Sequence, residues 1–174
     1  PVTAVIGAFL LAAMLALALL APVVTTDTPL RTDLDGALRG PTAGHPFGQD
    51  RLGRDVFAQV AYGTRASLLI AVSVVSLTVI AGVAAGAAAG YVGGALDVVV
   101  MRIVDIFLAF PGILLAIALA GVLGPNLGNL VIALSVMGWV GYARLVRAQV
   151  LSLREREYAV AARAVGAGPW RVVA

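Results

Sequence analysis

Long uncharged apolar runs alternate with polar stretches along this chain, and the longest of them predict membrane-spanning helices. Residues 4–21 carry no charge, and a helix of about 18 residues at about 1.5 Å each can cross the hydrocarbon core of a bilayer. Residues 66–91 form a second uncharged run, and residues 106–143 form a third. We therefore predict an all-α membrane fold in which these runs are the spans.

The third run is too long for one span. At about 1.5 Å per residue it would make a helix of about 57 Å, nearly twice the thickness of the hydrocarbon core. Turn-forming residues at 124–129 interrupt it. The run is therefore predicted to be a helical hairpin with spans near 106–123 and 129–149, and Pro111 should kink the first of them. The chain then has four predicted spans.

The first apolar run has an alternative reading as a cleaved signal peptide, which would have a basic segment before a shorter apolar core. No basic residue precedes Arg31, so we predict a retained first transmembrane helix over residues 1–24. Residues 25–65 are polar, their charges cancel, and their prolines and glycines predict an extracytoplasmic loop with a short helix. Residues 66–174 then form the membrane core.

Glycines recur every four residues in the second run, at Gly82, Gly86 and Gly90. Small residues at this spacing share one face of a helix and let membrane helices approach closely. We interpret the repeat as a packing face and not as a chemical site.

A small charge cluster follows the second span. The spacings of Asp97, Arg102 and Asp105 put them roughly on one side of a helix. Ionisable groups beside a membrane helix are candidates for function. An interfacial charge cluster at the cytoplasmic end of the span is the alternative.

The last polar segment contains a predicted helix near residues 153–165. Ser152 and Glu155 have the spacing of a capping box, which predicts where this helix begins. Alanines fill its middle and Gly166 fits a C-terminal stop. A helix with such a small-residue surface suits close contact with another protein's backbone, and an ordinary amphipathic helix is the alternative.

Composition supports the membrane interpretation. The chain is 61% hydrophobic and 12% charged, whereas soluble domains carry about 25% charged residues. The sequence has no cysteine, which excludes disulfides and cysteine metal sites. A net charge of +3 would suggest a nucleic-acid partner in a soluble protein. Here the basic residues concentrate after residue 143, so the positive-inside rule explains them and no nucleic-acid partner is expected.

The basic residues after residue 143, which are all arginines, also predict the orientation of the chain. If the Arg-rich end is cytoplasmic, the fourth span exits inward, and counting back places residues 25–65 outside and the N-terminus inside. The helix near residues 153–165 then lies in the cytoplasm.

That helix carries a resemblance to a known family. The segment YAVAARAVGA, residues 158–167, resembles the EAA loop of bacterial ABC importer permeases, a coupling helix that docks into a groove on the ATPase subunit. Ala161, Ala162 and Gly166 keep the family's spacing. Val160 stands where the family has Glu. The resemblance implies that the ATPase interface contains Glu157, Tyr158, Ala161, Ala162, Arg163 and Gly166.

Two further segments resemble the dipeptide, oligopeptide and nickel branch of this family. Residues 47–57 are similar to its F-G-T-D-x-x-G-R-D-V-F segment, with Gln49 in place of Thr. Residues 97–111 are similar to its D-x4-R-x2-D-x2-L-A-F-P signature, which lies near the coupling interface. The first motif contributes Gly48, Asp50, Gly53, Arg54 and Asp55, and the second contributes Asp97, Arg102 and Asp105. A folded loop without a ligand role is the alternative for the first motif.

The resemblance implies a type I ABC importer permease fold with about six spans, of which four are expected here before the chain stops. It implies a multi-pass protein of the bacterial cytoplasmic (inner) membrane that carries di- or oligopeptides, with nickel or another small solute as the alternative. The implied partners are a second homologous permease subunit, two ATPase subunits, an extracytoplasmic solute-binding protein and the lipid bilayer. ATP and Mg would be bound by the ATPase subunits, with no cofactor, metal or catalytic residue in this one.

The sequence lacks a nucleotide-binding loop of the G-x4-G-K-[ST] type, so we expect this chain not to be an enzyme. A secondary transporter or channel without an ATPase is a function of another class, and a passive membrane scaffold is a third. Secondary transporters usually have an ion or substrate site near the midplane, often on a broken helix. Copurification of ATPase subunits would separate an importer permease from both.

Overall fold

The computed structural model describes residues 2–25, 28–157 and 161. Its helices are α1 (Val2–Val24), a 3₁₀ helix (Leu34–Gly36), α2 (Val56–Val92), α3 (Gly94–Leu108), α4 (Gly112–Leu123) and α5 (Leu127–Arg154). No strand occurs in these ranges beyond one isolated bridge, so the predicted all-α fold is confirmed. The chain divides into two compact units, residues 1–71 and 72–174, and each is described by itself.

Three of the described helices, α1, α2 and α5, are long and apolar enough to cross a membrane. The pair α3 and α4 would supply a fourth span if the two are counted together. α2 has 37 residues, about 55 Å at about 1.5 Å each, and it begins at Val56, inside the segment predicted to be a loop. The prediction placed this start too late because absence of charge marks only the lipid-covered part of a helix.

The span predicted over residues 106–123 is not one kinked helix. α3 ends at Leu108, α4 begins at Gly112, and the two axes differ by 85°. Pro111 has no N–H to continue the hydrogen-bond ladder of α3, and its ring disfavours helical backbone at Phe110. Its carbonyl instead accepts from Leu114 and Leu115, which starts α4.

α5 is longer at both ends than the predicted span over residues 129–149. Asn126 caps its start by accepting from the Gly128 N–H at 2.7 Å. At the other end Ser152 lies within α5, which runs to Arg154. The predicted capping box is therefore wrong, because a cap residue must leave the helical conformation whereas Ser152 continues an established helix. The break comes at Glu155 and Arg156.

The core of the second unit forms where α3 meets α5. Val104, Val140 and Ala143 are buried together. Beside them the rings of Phe107 and Trp139 pack edge to face with centroids 5.9 Å apart. An edge-to-face pair of this kind adds about 1 kcal/mol beyond its buried area. Apolar packing thus fixes α3 against α5.

The glycine repeat of α2 lies directly against α5, which confirms its prediction as a packing face. A Cβ on Gly82 would lie 2.4 Å from Tyr142 Cβ, and one on Gly86 would lie 2.4 Å from the carbonyl oxygen of Ala143. Since real side chains never come that close to a backbone atom, only glycine allows the two helices to approach this far.

Candidate functional site

Two ion pairs join α3 to α5. Arg147 donates from Nη2 to Oδ2 of Asp97 at 2.6 Å and from Nε to Oδ1, a bidentate arrangement. Arg144 donates from Nη2 to Oδ1 of Asp105 at 2.9 Å. The side chains of Arg147 and Asp97 are 30% and 19% exposed, whereas both members of the other pair are 57% exposed. Geometry and burial therefore make the Asp97–Arg147 pair the stronger one.

Arg154, the last residue of α5, contacts the end of α2. Its Nη1 donates to the carbonyl oxygens of Gly90 and Tyr91, each at 3.1 Å. Carbonyls in the last turn of a helix lack intrahelical donors, and a cation there also complements the helix dipole. Gly93 and Gly94 follow with φ of 69° and 59° and turn the chain into α3. We name residues 90–97 the α2–α3 corner.

The predicted charge cluster occupies one side of α3, as its spacing indicated. Asp97, Arg102 and Asp105 line a cavity of about 260 Å³ together with Val98, Met101 and Arg147. Arg102 is exposed, and no ion pair involves it within the part of the chain that the structure describes. The two carboxylates are neutralised by arginines of α5. A functional role for the cluster stays a prediction.

The partners of these carboxylates were not predicted from the sequence. Arg144, Arg147 and Arg154 were interpreted there only as determinants of membrane orientation. Their spacing of three and seven residues puts them on one face of a helix, which is a signal for a shared task. Choosing Asp97 as the partner of Arg147 additionally requires knowing how α3 packs on α5.

In the first unit, the side chain of Asp50 organises the motif at residues 47–57. Oδ1 accepts from the backbone N–H groups of Leu52 at 2.8 Å and Arg54 at 2.9 Å, and Oδ2 accepts from Gln59 Nε2 at 3.1 Å. The Arg54 N–H is the main reason why the pKa of Asp50 lies below its ordinary value, although desolvation opposes it. Asp50 thus contacts Arg54 through the Arg54 backbone.

The other residues of this motif shape the backbone and start α2. Gly48 and Gly53 have φ of 74° and 69°, in the left-handed region that glycine enters without strain. Gln49 and Asp55 form an isolated antiparallel bridge that closes this turn of the chain. Asp55 is buried, and its Oδ1 accepts from the Phe57 N–H at 3.0 Å, which caps the first turn of α2. Gly48, Asp50, Gly53 and Asp55 thus each have a structural role, and a ligand role for the motif stays a prediction.

The predicted coupling helix lies mostly outside the described residues. Glu157 and Ala161 are described, and both are exposed. Tyr158, Ala162, Arg163 and Gly166 fall outside the described residues. The break at Glu155 and Arg156 comes slightly later than the predicted helix start.

Comparison with known proteins matches residues 78–174 to the family described as binding-protein-dependent transport system inner membrane component. The matched region begins within α2 and includes the α2–α3 corner, both ion pairs and the predicted coupling helix.

Individual relatives cover nearly the whole chain. It is 41% identical to the dipeptide transport system permease protein DppC of Alkalihalophilus pseudofirmus over 98% of this chain and 56% of the relative. It is 40% identical to the nickel transport system permease protein NikC of Escherichia coli strain K12, over 92% of this chain and 60% of the relative. It is 36% identical to the oligopeptide transport system permease protein OppC of Bacillus subtilis strain 168, over 98% of this chain and 56% of the relative. The chain thus spans little more than half the length of these relatives.

Proposed function

Because this chain belongs to the family of binding-protein-dependent transport system inner membrane components, within the dipeptide, oligopeptide and nickel branch of ABC importer permeases, we propose that it forms part of the translocation pathway of an ATP-driven solute importer. It is a multi-pass protein of the bacterial inner membrane. The family match over residues 78–174 is the observation that carries the proposal.

Peptides are the proposed solutes. Relatives at 41% and 36% identity are named for dipeptide and oligopeptide transport, which supports this class. A relative at 40% identity is named for nickel transport, so nickel is the second candidate. Uptake by the reconstituted importer of a radiolabelled dipeptide and of radiolabelled nickel separates the two.

The proposed mechanism needs partners that supply ATP hydrolysis. Two ATPase subunits bind and hydrolyse ATP with Mg, a second homologous permease subunit completes the pathway, and an extracytoplasmic binding protein delivers the solute. Closure of the ATPase dimer moves the coupling helix near residues 153–165, and the spans switch between inward and outward access. This is a two-state equilibrium that ligands bias from both sides of the membrane.

The orientation of the chain can be tested with single cysteines, because the sequence has none of its own. Gly44 and Glu155 are both exposed, so labelling at either site reports its side of the membrane and not its burial. We expect Gly44→Cys in intact cells to react with an impermeant thiol reagent and Glu155→Cys to react only after permeabilisation. Labelling of both in intact cells would contradict the proposed topology.

The coupling role predicts a specific loss in Ala162→Arg. A bulky charge in a close-packed contact should weaken retention of the ATPase and abolish solute uptake, while membrane insertion stays normal because the helix lies outside the spans. Gly166→Val should act similarly, since it opposes the turn that glycine permits. The measurement is copurification of the ATPase with each variant, together with transport-linked ATP hydrolysis.

Val160→Glu is the matched control for this experiment. It changes the same helix but restores the residue that the family usually has, so we expect wild-type ATPase retention. Wild-type retention and uptake in Ala162→Arg would show that this helix is not the coupling element. A secondary transporter, a channel or a passive scaffold would not retain the ATPase in any variant.

A further inference from the structure

We propose that Arg147 and Arg154 clamp the α2–α3 corner to the end of α5, so that movement of the segment after α5 is passed to α2 and α3 as one body. The arginine clamp is defined as the Arg147–Asp97 pair together with the bonds from Arg154 to the Gly90 and Tyr91 carbonyls. The inference rests on the proposed function, because it concerns how ATPase movement reaches the spans.

The clamp holds two different elements through one helix. Arg147 binds the first turn of α3 through Asp97, and Arg154 binds the last turn of α2 through main-chain oxygens. The two arginines are seven residues apart on α5, about two turns or 10.5 Å, so they project from the same face. A displacement of this end of α5 therefore pulls both elements together.

The backbones of α2 and α5 are in close contact at this point, with no free space between the two helices. A Cβ on Gly90 would lie 2.9 Å from Val150 Cβ and 3.0 Å from the carbonyl oxygen of Arg147. A helix surface in such contact cannot slide without separating first, because packed side chains allow only discrete arrangements. The guanidinium of Arg154 lies 3.5 Å from the position of a Cβ on Gly93, so it also fills the inside of the α2–α3 corner.

The clamp reaches into the start of the segment predicted as the coupling helix, residues 153–165, because Arg154 belongs to both. Arg154 is the last residue of α5, and Glu155 and Arg156 form the break that follows. Movement of the coupling helix is therefore applied to the chain at the residue that holds α2. The Arg144–Asp105 pair lies further from this end of α5 and is more exposed, so we assign it a smaller role in passing the movement to α3.

The test uses the full-length subunit in its complete importer, with spin labels at Val92 on α2 and Ser152 on α5, both of which are exposed. With Arg154 present, we expect the same label distance in the ATP-free and ATP-trapped states. In Arg154→Ala the distance should change between the states, and uptake of radiolabelled dialanine per ATP hydrolysed should fall about tenfold, within the usual range for losing a coupling contact. Arg154→Lys keeps a charged donor and should restore part of this ratio.

Arg65→Ala is the control, because it removes an exposed arginine of α2 that takes no part in the clamp, and it should leave the ratio unchanged. An unchanged ratio and distance in Arg154→Ala would overturn the clamp, and so would loss of the ATPase in that variant, since Arg154 would then act in docking. If the wild-type protein retains no ATPase, the proposed function fails instead. The clamp is then judged in the purified subunit, where Arg154→Ala must broaden the Val92–Ser152 distance distribution or the clamp is refuted.

Discussion

Gly86→Leu is expected to force α2 away from α5 and to destabilise the protein by about 3 kcal/mol, the upper part of the range for overpacking. Even the Cβ of the new side chain would lie 2.4 Å from the Ala143 carbonyl oxygen and 3.0 Å from Val146 Cβ. A carbonyl inside a helix cannot rotate away as a side chain can, so the helices themselves must separate. Thermal unfolding of the purified subunit in detergent, followed by tryptophan fluorescence, measures the loss.

Gly141→Leu is the matched control for this prediction. Gly141 also lies within a long apolar helix, but it is exposed and no heavy atom lies within 4 Å of the position of its Cβ. We expect its unfolding temperature to stay close to that of the wild-type protein. Equal unfolding temperatures for Gly86→Leu and the wild type would show that the α2–α5 contact is looser than described.

Gly53→Ala is expected to open the loop that contains residues 47–57. The φ of Gly53 is 69°, which costs an alanine about 1–2 kcal/mol, and its Cβ would lie 1.6 Å from the carbonyl oxygen of Asp33. The backbone at Asp33 must therefore move, which breaks the bond from the Asp33 N–H to the Leu52 carbonyl. Hydrogen exchange of the amides of residues 48–57 should accelerate, and proteases should cut the loop faster.

Gly44→Ala provides the comparison within the same loop. No heavy atom lies within 4 Å of the position of its Cβ, and its φ lies outside the left-handed region, so alanine should be accepted there. Slow exchange at residues 48–57 in Gly53→Ala would mean that the loop reaches the same fold by another backbone path. Faster exchange in both variants would argue for a generally fragile loop.

Local sequence features were sufficient for the long helices α1, α2 and α5 and for their membrane character. Within lipid, backbone groups must be satisfied inside the segment, so an uncharged run of sufficient length has to be a helix. The turn at residues 124–129 was equally local, because Gly124 and Asn126 supply the left-handed backbone and the cap that a short hairpin requires. The glycine repeat of α2 identified a packing face for the same reason.

Features that depend on neighbouring elements could not be predicted in this way. Ser152 has the side chain of a cap, yet α5 continues through it because the preceding turns already provide the hydrogen bonds. Pro111 predicted a bend, but its size of 85° depends on how α3 and α4 each pack against α5.

The sequence by itself determined the apolar runs of α1, α2 and α5, the packing face of α2 and the position of Asp97 in the α2–α3 corner. Only the tertiary structure decided that Arg147 pairs with Asp97 and that Arg154 binds the end of α2. Residues 50 or more apart in the chain form these contacts. Such pairing depends on the rotation and register of whole helices, which nonlocal packing sets and no local pattern records.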